Sequence, residues 1–256
     1  VNILLVNDDG IDAPGLSVLY SAVRDLGTIT VVAPDGERSA VSHSITLDKP
    51  MPLKKFVKEG LFEGYALCGT PADCVKLALA EIMPSPPDLV ISGINLGSNT
   101  GLNVIYSGTV GGAAEAVFNG IPGIAVSLTT YDHPNWEPAA NFIRFLVKRM
   151  KNDLPRDVML NVNVPNVKNN SDIAGLRICE QGMAQWKEKF EKRTDPKGRT
   201  YYWMSGIKKE LNEAETIDET AVKNNYISLT PIRFDLTAHD KLNGLTILES
   251  DYQKNR

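Results

Sequence analysis

The chain has 256 residues, 43% hydrophobic and 23% charged, with 27 Lys and Arg against 31 Asp and Glu for a formal charge of −4. This composition excludes a disordered chain, and the shortage of positive charge excludes a general nucleic-acid coat protein, because phosphate backbones demand a basic face. Cys68, Cys74 and Cys179 cannot all pair within one chain and form no CxxC motif, so reduced thiols in a cytoplasmic protein are expected.

The chain opens on Asn2–Val6, a short apolar run that reads as a buried strand and is too short for a signal peptide. Pro14–Leu26 carries Leu16, Leu19, Tyr20, Val23 and Leu26 at helical spacing, with a proline in its first turn. Thr28–Ala33 is a second strand. Ser42–Leu47 and Leu61–Leu67, separated by a stretch containing Pro and Lys, suggest a hairpin excursion. Helices are predicted over Pro71–Ile82, Val110–Asn119 and Glu137–Met150, and strands over Asp88–Ser92, Gly123–Leu128 and Val158–Val164. Strands that are apolar throughout and alternate with helices predict a Rossmann-like, doubly wound, mostly parallel α/β sheet over residues 1–174. From about Gly175 the texture changes: Thr194–Arg199 is rich in turn residues, and Thr200–Met204 and Tyr226–Thr230 read as strands. Residues 175–256 are therefore expected to form a β-rich extension that packs back on the core or reaches a neighbouring subunit. No stretch approaches the ~20 apolar residues of a membrane span.

Ligands of such a sheet sit beyond the carboxyl ends of its strands. Four segments fall on that edge: Asn7-Asp8-Asp9-Gly10, Pro34 to Ser39, Gly93 to Gly101, and Tyr106 to Gly112. Residues 1–135 carry a net charge of −7 and residues 136–256 carry +3, so the half bearing these segments repels anions unless a cation is bound there. Asp8 and Asp9 point to such a cation, since two adjacent carboxylates at a buried strand end repel each other and lose solvation. A solvated Asp-Asp-Gly turn with one helix-capping Asp is the plainer alternative. With Ser39 and Asn95 able to reach the same edge, a shell of Asp8, Asp9, Ser39 and Asn95 plus water takes shape. Its all-oxygen character favours one magnesium or manganese ion, allows calcium, and argues against structural zinc.

Ser107-Gly108-Thr109 leads into a helix, where small residues, backbone N–H groups and two hydroxyls can cradle an anion. A plain N-cap with glycines for close packing is the alternative. A metal beside an anion cradle describes a phosphoryl site. Gly10 to Ser17 mimics the spacing of a Walker A loop, but Leu16 stands where lysine is required. His43, four residues after Ser39, is a weak candidate general acid, and a hydrogen-bonded hairpin histidine is the more economical reading. The tryptophans Trp136, Trp186 and Trp203 read as packing or interface residues.

Taken together, Val6-Asn7-Asp8-Asp9-Gly10-Ile11, Ala33-Pro34-Asp35 with Glu37-Arg38-Ser39, Ser92-Gly93-Ile94-Asn95 with Gly97, Asn99 and Gly101, and Tyr106-Ser107-Gly108-Thr109-Val110-Gly111 resemble the SurE family of stationary-phase survival proteins. The likeness extends through Gly69–Val75 and into Asp195–Tyr202 and Asn225–Thr237. It implies a metal-dependent phosphomonoesterase acting on nucleoside 5′- and 3′-monophosphates, with short polyphosphate a further substrate of some members. It implies metal ligands at Asp8, Asp9, Ser39 and Asn95, phosphate contacts at Asn95, Ser107, Gly108 and Thr109, and a homodimer or homotetramer built through the carboxy-terminal segment. Nothing in it calls for a membrane or a nucleic-acid polymer. Catalysis by a water that Asp8 or Asp9 orients or deprotonates is the expected mechanism. Asn103, where an acidic residue is expected, and Gly112 and Ala116, where Ala and Gly are expected, depart from the pattern beside the anion loop. A response-regulator receiver is set aside, because the third strand runs into Ser92 and Gly93 and lacks a phosphoacceptor Asp. A regulatory protein that binds metal or nucleotide without turnover is the remaining alternative.

Overall fold

The computed structural model describes residues 1–150, 153–184, 186–208, 211 and 213–256. Its centre is β1 (Asn2–Val6), flanked by β2 (Thr28–Pro34) on one side and β5 (Leu89–Leu96) on the other. Beyond β2 lie β4 (Phe62–Leu67) and β3 (Leu53–Lys58); beyond β5 lie β6 (Gly123–Leu128), β7 (Met159–Val164), β11 (Tyr226–Ile232) and β8 (Gly175–Ile178). The six strands from β4 to β7 run parallel, β3 and β11 are antiparallel to their inner neighbours, and β8 is parallel to β11. The expected doubly wound, mostly parallel α/β sheet is thus present.

Side chains of β1 alternate between two cores, as a doubly covered strand must. Ile3 and Leu5 share one core with Leu16, Leu19 and Val23 of α1 (Pro14–Val23) and Ile143 and Leu146 of α5 (Glu137–Met150). Leu4 and Val6 share the other with Cys74 and Val75 of α2 (Pro71–Leu77) and Ala116 of α4 (Gly108–Phe118). Each fully buried Leu or Ile contributes roughly 1.5–3 kcal/mol. A reciprocal cap starts α2: Thr70 Oγ1 accepts from Asp73 N–H at 3.1 Å, and Asp73 Oδ2 accepts from Thr70 N–H at 2.9 Å. A π-helical turn, Ala78–Ile82, completes the segment predicted as one helix.

The hairpin excursion exists, but its first strand is not Ser42–Leu47. That stretch is irregular, and Leu53–Lys58 pairs with Phe62–Leu67 instead. An edge strand needs only one protected face, so the lysine-bearing sequence Leu-Lys-Lys-Phe-Val-Lys serves there and hides its strand character. A four-residue helix, α3 (Asn103–Tyr106), precedes α4.

After Gly175, β8 and β11 complete the main sheet, with α6 (Asp218–Lys223) packed beside β11. The strands β9 (Trp186–Thr194) and β10 (Thr200–Lys208) form a separate two-stranded ribbon. Its turn is the expected one: Asp195 Oδ1 accepts from the Lys197 and Arg199 N–H groups, and Gly198 takes φ +78°. Two short exposed helices, α7 (His239–Leu245) and α8 (Ile247–Lys254), end the chain. No helix among the described residues is long and apolar enough to cross a membrane.

The sheet reverses its winding between β1 and β5, and there α1 approaches the backbone of β5 closely. A Cβ on Gly15 would lie 2.0 Å from the carbonyl oxygen of Ile94. Backbone cannot yield as a side chain tip can, so Gly15→Ala is expected to lower stability by about 2 kcal/mol or more, measured by urea denaturation. A variant as stable as the parent would show that this approach is not needed.

Candidate metal centre and active site

The reversal of winding leaves a crevice at the carboxyl ends of β1 and β5, the general ligand position of an open α/β sheet. Asp8 and Asp9 leave β1 at this point, and Asn95 lies near the end of β5. A cleft of about 220 Å³ is lined there by Asp8, Ser39, Asn95 and Ser107, one from each of the four segments singled out in the sequence. Asp9, Gly108 and Thr109 are not among its lining residues.

Asp8 is buried, and its Oδ1 accepts the Thr109 hydroxyl at 2.5 Å. Burial raises its pKa, partly offset by that hydrogen bond. Asp9 is half-buried; burial, with Asp8 and Glu37 close by, pushes its carboxyl up to about 7. The charges acting on Asp9 are both negative, and Leu96 N–H is the group that eases it. Arg38 does not neutralise the pair: its Nη2 binds Asp35 Oδ1 at 2.9 Å and its Nε donates to Gly69 O at 3.2 Å.

Ser39 is exposed and its hydroxyl donates to Glu37 Oε1 at 2.5 Å, which leaves its oxygen lone pairs available. Asn95 is placed by an irregularity in β5, where the register against β6 shifts between Ser92 and Asn95. Gly93 in that bulge has φ +141°, and a Cβ on it would meet Val126 O at 2.4 Å. Asn95 Nδ2 donates to Gly97 O at 2.8 Å, which orients the amide. No three His, Cys, Asp or Glu side chains gather into a metal site among the described residues. The available set is instead two under-compensated carboxylates with a neutral hydroxyl and a neutral amide, and it fits a hard divalent cation with water completing its shell.

Ser107 caps α4 by accepting the Val110 N–H at 3.1 Å. Gly108 packs against Asp8: a Cβ there would lie 2.9 Å from the Asp8 Cβ. The hydroxyl of Thr109, an expected phosphate contact, donates to Asp8 Oδ1. His43 does not line the cleft. Its Nε2 lies 2.9 Å from Oε2 of buried Glu115, which also pairs with Lys76 at 2.8 Å, and its ring stacks on Phe118. This is the hydrogen-bonded alternative for His43.

Sequence reasoning missed the groups that hold the loop after β5. Asn99 donates through its N–H to Asn163 Oδ1 at 2.7 Å and through Nδ2 to Ser127 Oγ at 2.8 Å, and its carbonyl accepts from Asn161 Nδ2 at 2.7 Å. The signal was available, since Leu160-Asn161-Val162-Asn163-Val164 places two amides in a strand buried on both faces. Asp218, buried, accepts from Gly101 N–H at 2.9 Å and Gly182 N–H at 3.0 Å.

A doubly wound sheet with paired carboxylates at its switch point, beside a capped helix N-terminus, defines a phosphoryl-handling α/β protein with a candidate metal centre. The chain matches the family "Survival protein SurE" over residues 3–188 and belongs to it. It is 45% identical over 245 residues to 5′-nucleotidase SurE of Chlorobium chlorochromatii, covering 95% of this chain and 90% of that protein. It is 47% identical over 239 residues to 5′-nucleotidase SurE of Pelotomaculum thermopropionicum, covering 93% and 91%. Among solved structures, the SurE protein from Aquifex aeolicus superposes with a TM-score of 0.84 at 39% identity, covering 97% of this chain and all of that one.

The raised carboxyl pKa values predict an unusual pH dependence. Without metal, folded Asp9 holds its proton more tightly than the unfolded chain, so its contribution to stability declines as pH climbs from about 4 to about 7. A cation must displace that proton, so its affinity should rise across the same interval and then level off. Manganese titration by calorimetry at pH 5.5 and 7.5 is expected to show clearly tighter binding at the higher pH, with the difference reduced in Asp9→Asn. Equal affinity at both pH values would contradict the assignment.

Proposed function

We propose that this chain is a divalent-metal-dependent phosphomonoesterase that hydrolyses nucleoside monophosphates to nucleoside and phosphate. The observation that carries the reading is the meeting of Asp8, Ser39, Asn95 and Ser107 around one cleft, in a chain whose relatives over more than nine-tenths of its length are named 5′-nucleotidases. The 5′-monophosphates are the principal substrates; 3′-monophosphates and short polyphosphate are further candidates.

Asp8, Asp9, Ser39 and Asn95 would hold the ion, with magnesium or manganese the expected species. When bound, the ion supplies Lewis-acid stabilisation of the phosphoryl oxygens and lowers the pKa of water. The remaining work falls to the chain. The capped end of α4, with Ser107 and the backbone at Gly108, receives the phosphate; Asn95 donates or accepts at its rim. Thr109 fixes Asp8, the carboxylate that lines the cleft, and Asp8 orients the attacking water and takes its proton. The water then attacks phosphorus in line with the ribose oxygen, the bond from phosphorus to that oxygen breaks, and the departing alkoxide takes a proton from solvent.

Residues 1–174 form the catalytic core in this reading, and 175–256 an extension used between subunits of a homodimer or homotetramer. The ribbon supports the second part: an isolated two-stranded hairpin is marginal in water, yet Phe190, Tyr202, Trp203, Met204 and Ile207 are all exposed on it. A cytoplasmic setting accords with three cysteines that form no disulfide.

Phosphate release from a panel of nucleoside monophosphates, with and without chelator, tests the activity. Turnover should vanish on chelation and return with magnesium or manganese. Asp9→Ala should lower it by about a thousandfold or more while leaving the circular dichroism spectrum unchanged, on the scale of losing a principal transition-state charge stabiliser. Near-normal turnover by that variant would overturn the metal assignment. Light scattering should report two or four copies of the 28.0 kDa chain, and Trp203→Glu should shift the distribution toward monomer.

A further inference from the structure

The cleft that holds the oxygen donors is also lined by three aromatic residues, Tyr106, Tyr131 and Trp186. Trp186 belongs to the carboxy-terminal ribbon, far in sequence from every other residue of the site. Its indole Nε1–H donates to Asn103 Oδ1 at 2.9 Å, and Asn103 Nδ2 donates in turn to Ser98 O at 3.2 Å. Asn103 is the position that departs from the acidic residue expected there, and this bond gives it a local role. The cross-strand partner of Trp186 is Lys208, whose Nζ donates to Thr100 Oγ1 at 2.9 Å and pairs with Glu219. The two residues at the foot of the ribbon are therefore fastened to the start of α3 and to the loop that precedes it.

This anchoring decides what the indole can do. Its single polar group is already satisfied, so no hydrogen bond remains for it to offer a ligand. The side chain is nevertheless 39% exposed, held at the edge of a polar cleft. An apolar ring fixed there offers the cleft aromatic surface for a flat ligand to stack on. Tyr131, 68% exposed, is held comparably: it lies over Gly97, where a Cβ would come within 2.6 Å of its ring. A phosphate or bare sugar phosphate gains little from such surfaces, whereas a flat heteroaromatic base does.

We infer that Trp186, positioned by Asn103, is the base-recognition residue of the cleft, stacking on the nucleobase and favouring purine over pyrimidine monophosphates. The inference rests on the nucleotidase reading and deepens it. The larger face of a purine covers more of the indole, so discrimination resides in binding and leaves the chemical step alone. From the sequence, a packing or interface role is expected for Trp186.

The test compares wild type, Trp186→Ala and Trp186→Phe on AMP, CMP and ribose 5-phosphate in the metal-loaded enzyme, alongside calorimetric binding of adenosine to the metal-free protein. Trp186→Ala should raise KM for AMP about tenfold, within the range of one lost base stack, with kcat within about a factor of two. KM for ribose 5-phosphate should stay unchanged, the AMP over CMP preference should shrink, and adenosine binding should weaken by a similar factor. Trp186→Phe should recover most of each. Asn103→Ala, which frees the indole, should raise KM for AMP in the same direction as Trp186→Ala. An equal loss on AMP and ribose 5-phosphate, or unchanged AMP and adenosine binding in Trp186→Ala, would overturn the inference. If wild type released phosphate from none of the three, the nucleotidase reading would fail, and adenosine binding would still decide the role of Trp186.

Discussion

Asp8 and Asp9 leave the central strand side by side, where burial strips water from one and half-strips it from the other. Among the described residues neither meets a neutralising lysine or arginine, and Glu37 adds a third negative charge. Desolvation and like-charge repulsion both favour the protonated acids. Folding nevertheless holds the pair there, because the hydrophobic residues of β1 dictate where that strand ends and two further residues must follow it. The fold thus concentrates charge at the point where a reversed winding opens a crevice, and the site's chemistry consists of relieving that charge.

The surrounding polar network keeps the crevice in shape. Asn161 and Asn163 reach from β7 to the backbone of Asn99, and Asp218 reaches from the start of α6 to Gly101 and Gly182. Buried amides and a buried carboxylate cost desolvation that only complete hydrogen bonding offsets. Here most of the partners are backbone groups of the loop after β5, with Gly182 a further one and Asn161 Oδ1 left without a partner among the described residues, so much of the energy goes into fixing that loop. A consequence is that residues after 175 belong to the architecture of the site as well as to the periphery. Asp218 and Lys208 lie in that segment, and both grip the loop that follows Asn95.

Much of the fold was legible because parallel strands covered on both faces must be apolar along their whole length. Ile3–Val6, Val31–Ala33 and Ile124–Val126 could hardly be anything else. β3 was not legible, since three lysines on an edge strand satisfy the solvent and erase the alternation. Ser42–Leu47 misled in the opposite way: its Ile and Leu suggest a strand, but Ser42 has φ +57° and its N–H bonds Tyr106 O, while Thr46 binds Asp73. The ligand candidates could be read because they lie at or within a few residues of the carboxyl ends of β1, β2 and β5, and topology brings such positions to one edge. Thr109, Asn99, Asn103 and Trp186 could not be assigned their roles, because each role is defined by a partner between 28 and 101 positions away.

The geometry also dictates an order of events for the proposed reaction. A phosphate dianion entering the cleft alone would meet Glu37 and two aspartates that burial holds toward their protonated forms, with only about half a positive charge at the N-terminus of α4 to attract it. Part of even that is engaged, since Gly108 packs on Asp8 and Thr109 donates to it. A divalent cation held by Asp8 and Asp9 would offset their charge, and the helix terminus would then act on an incoming anion with less opposition. On these electrostatic grounds cation binding would precede productive phosphate binding. Thr109 is the hinge of that logic: its hydrogen bond offsets part of the desolvation that favours the protonated form of Asp8 and fixes how the carboxyl group is turned.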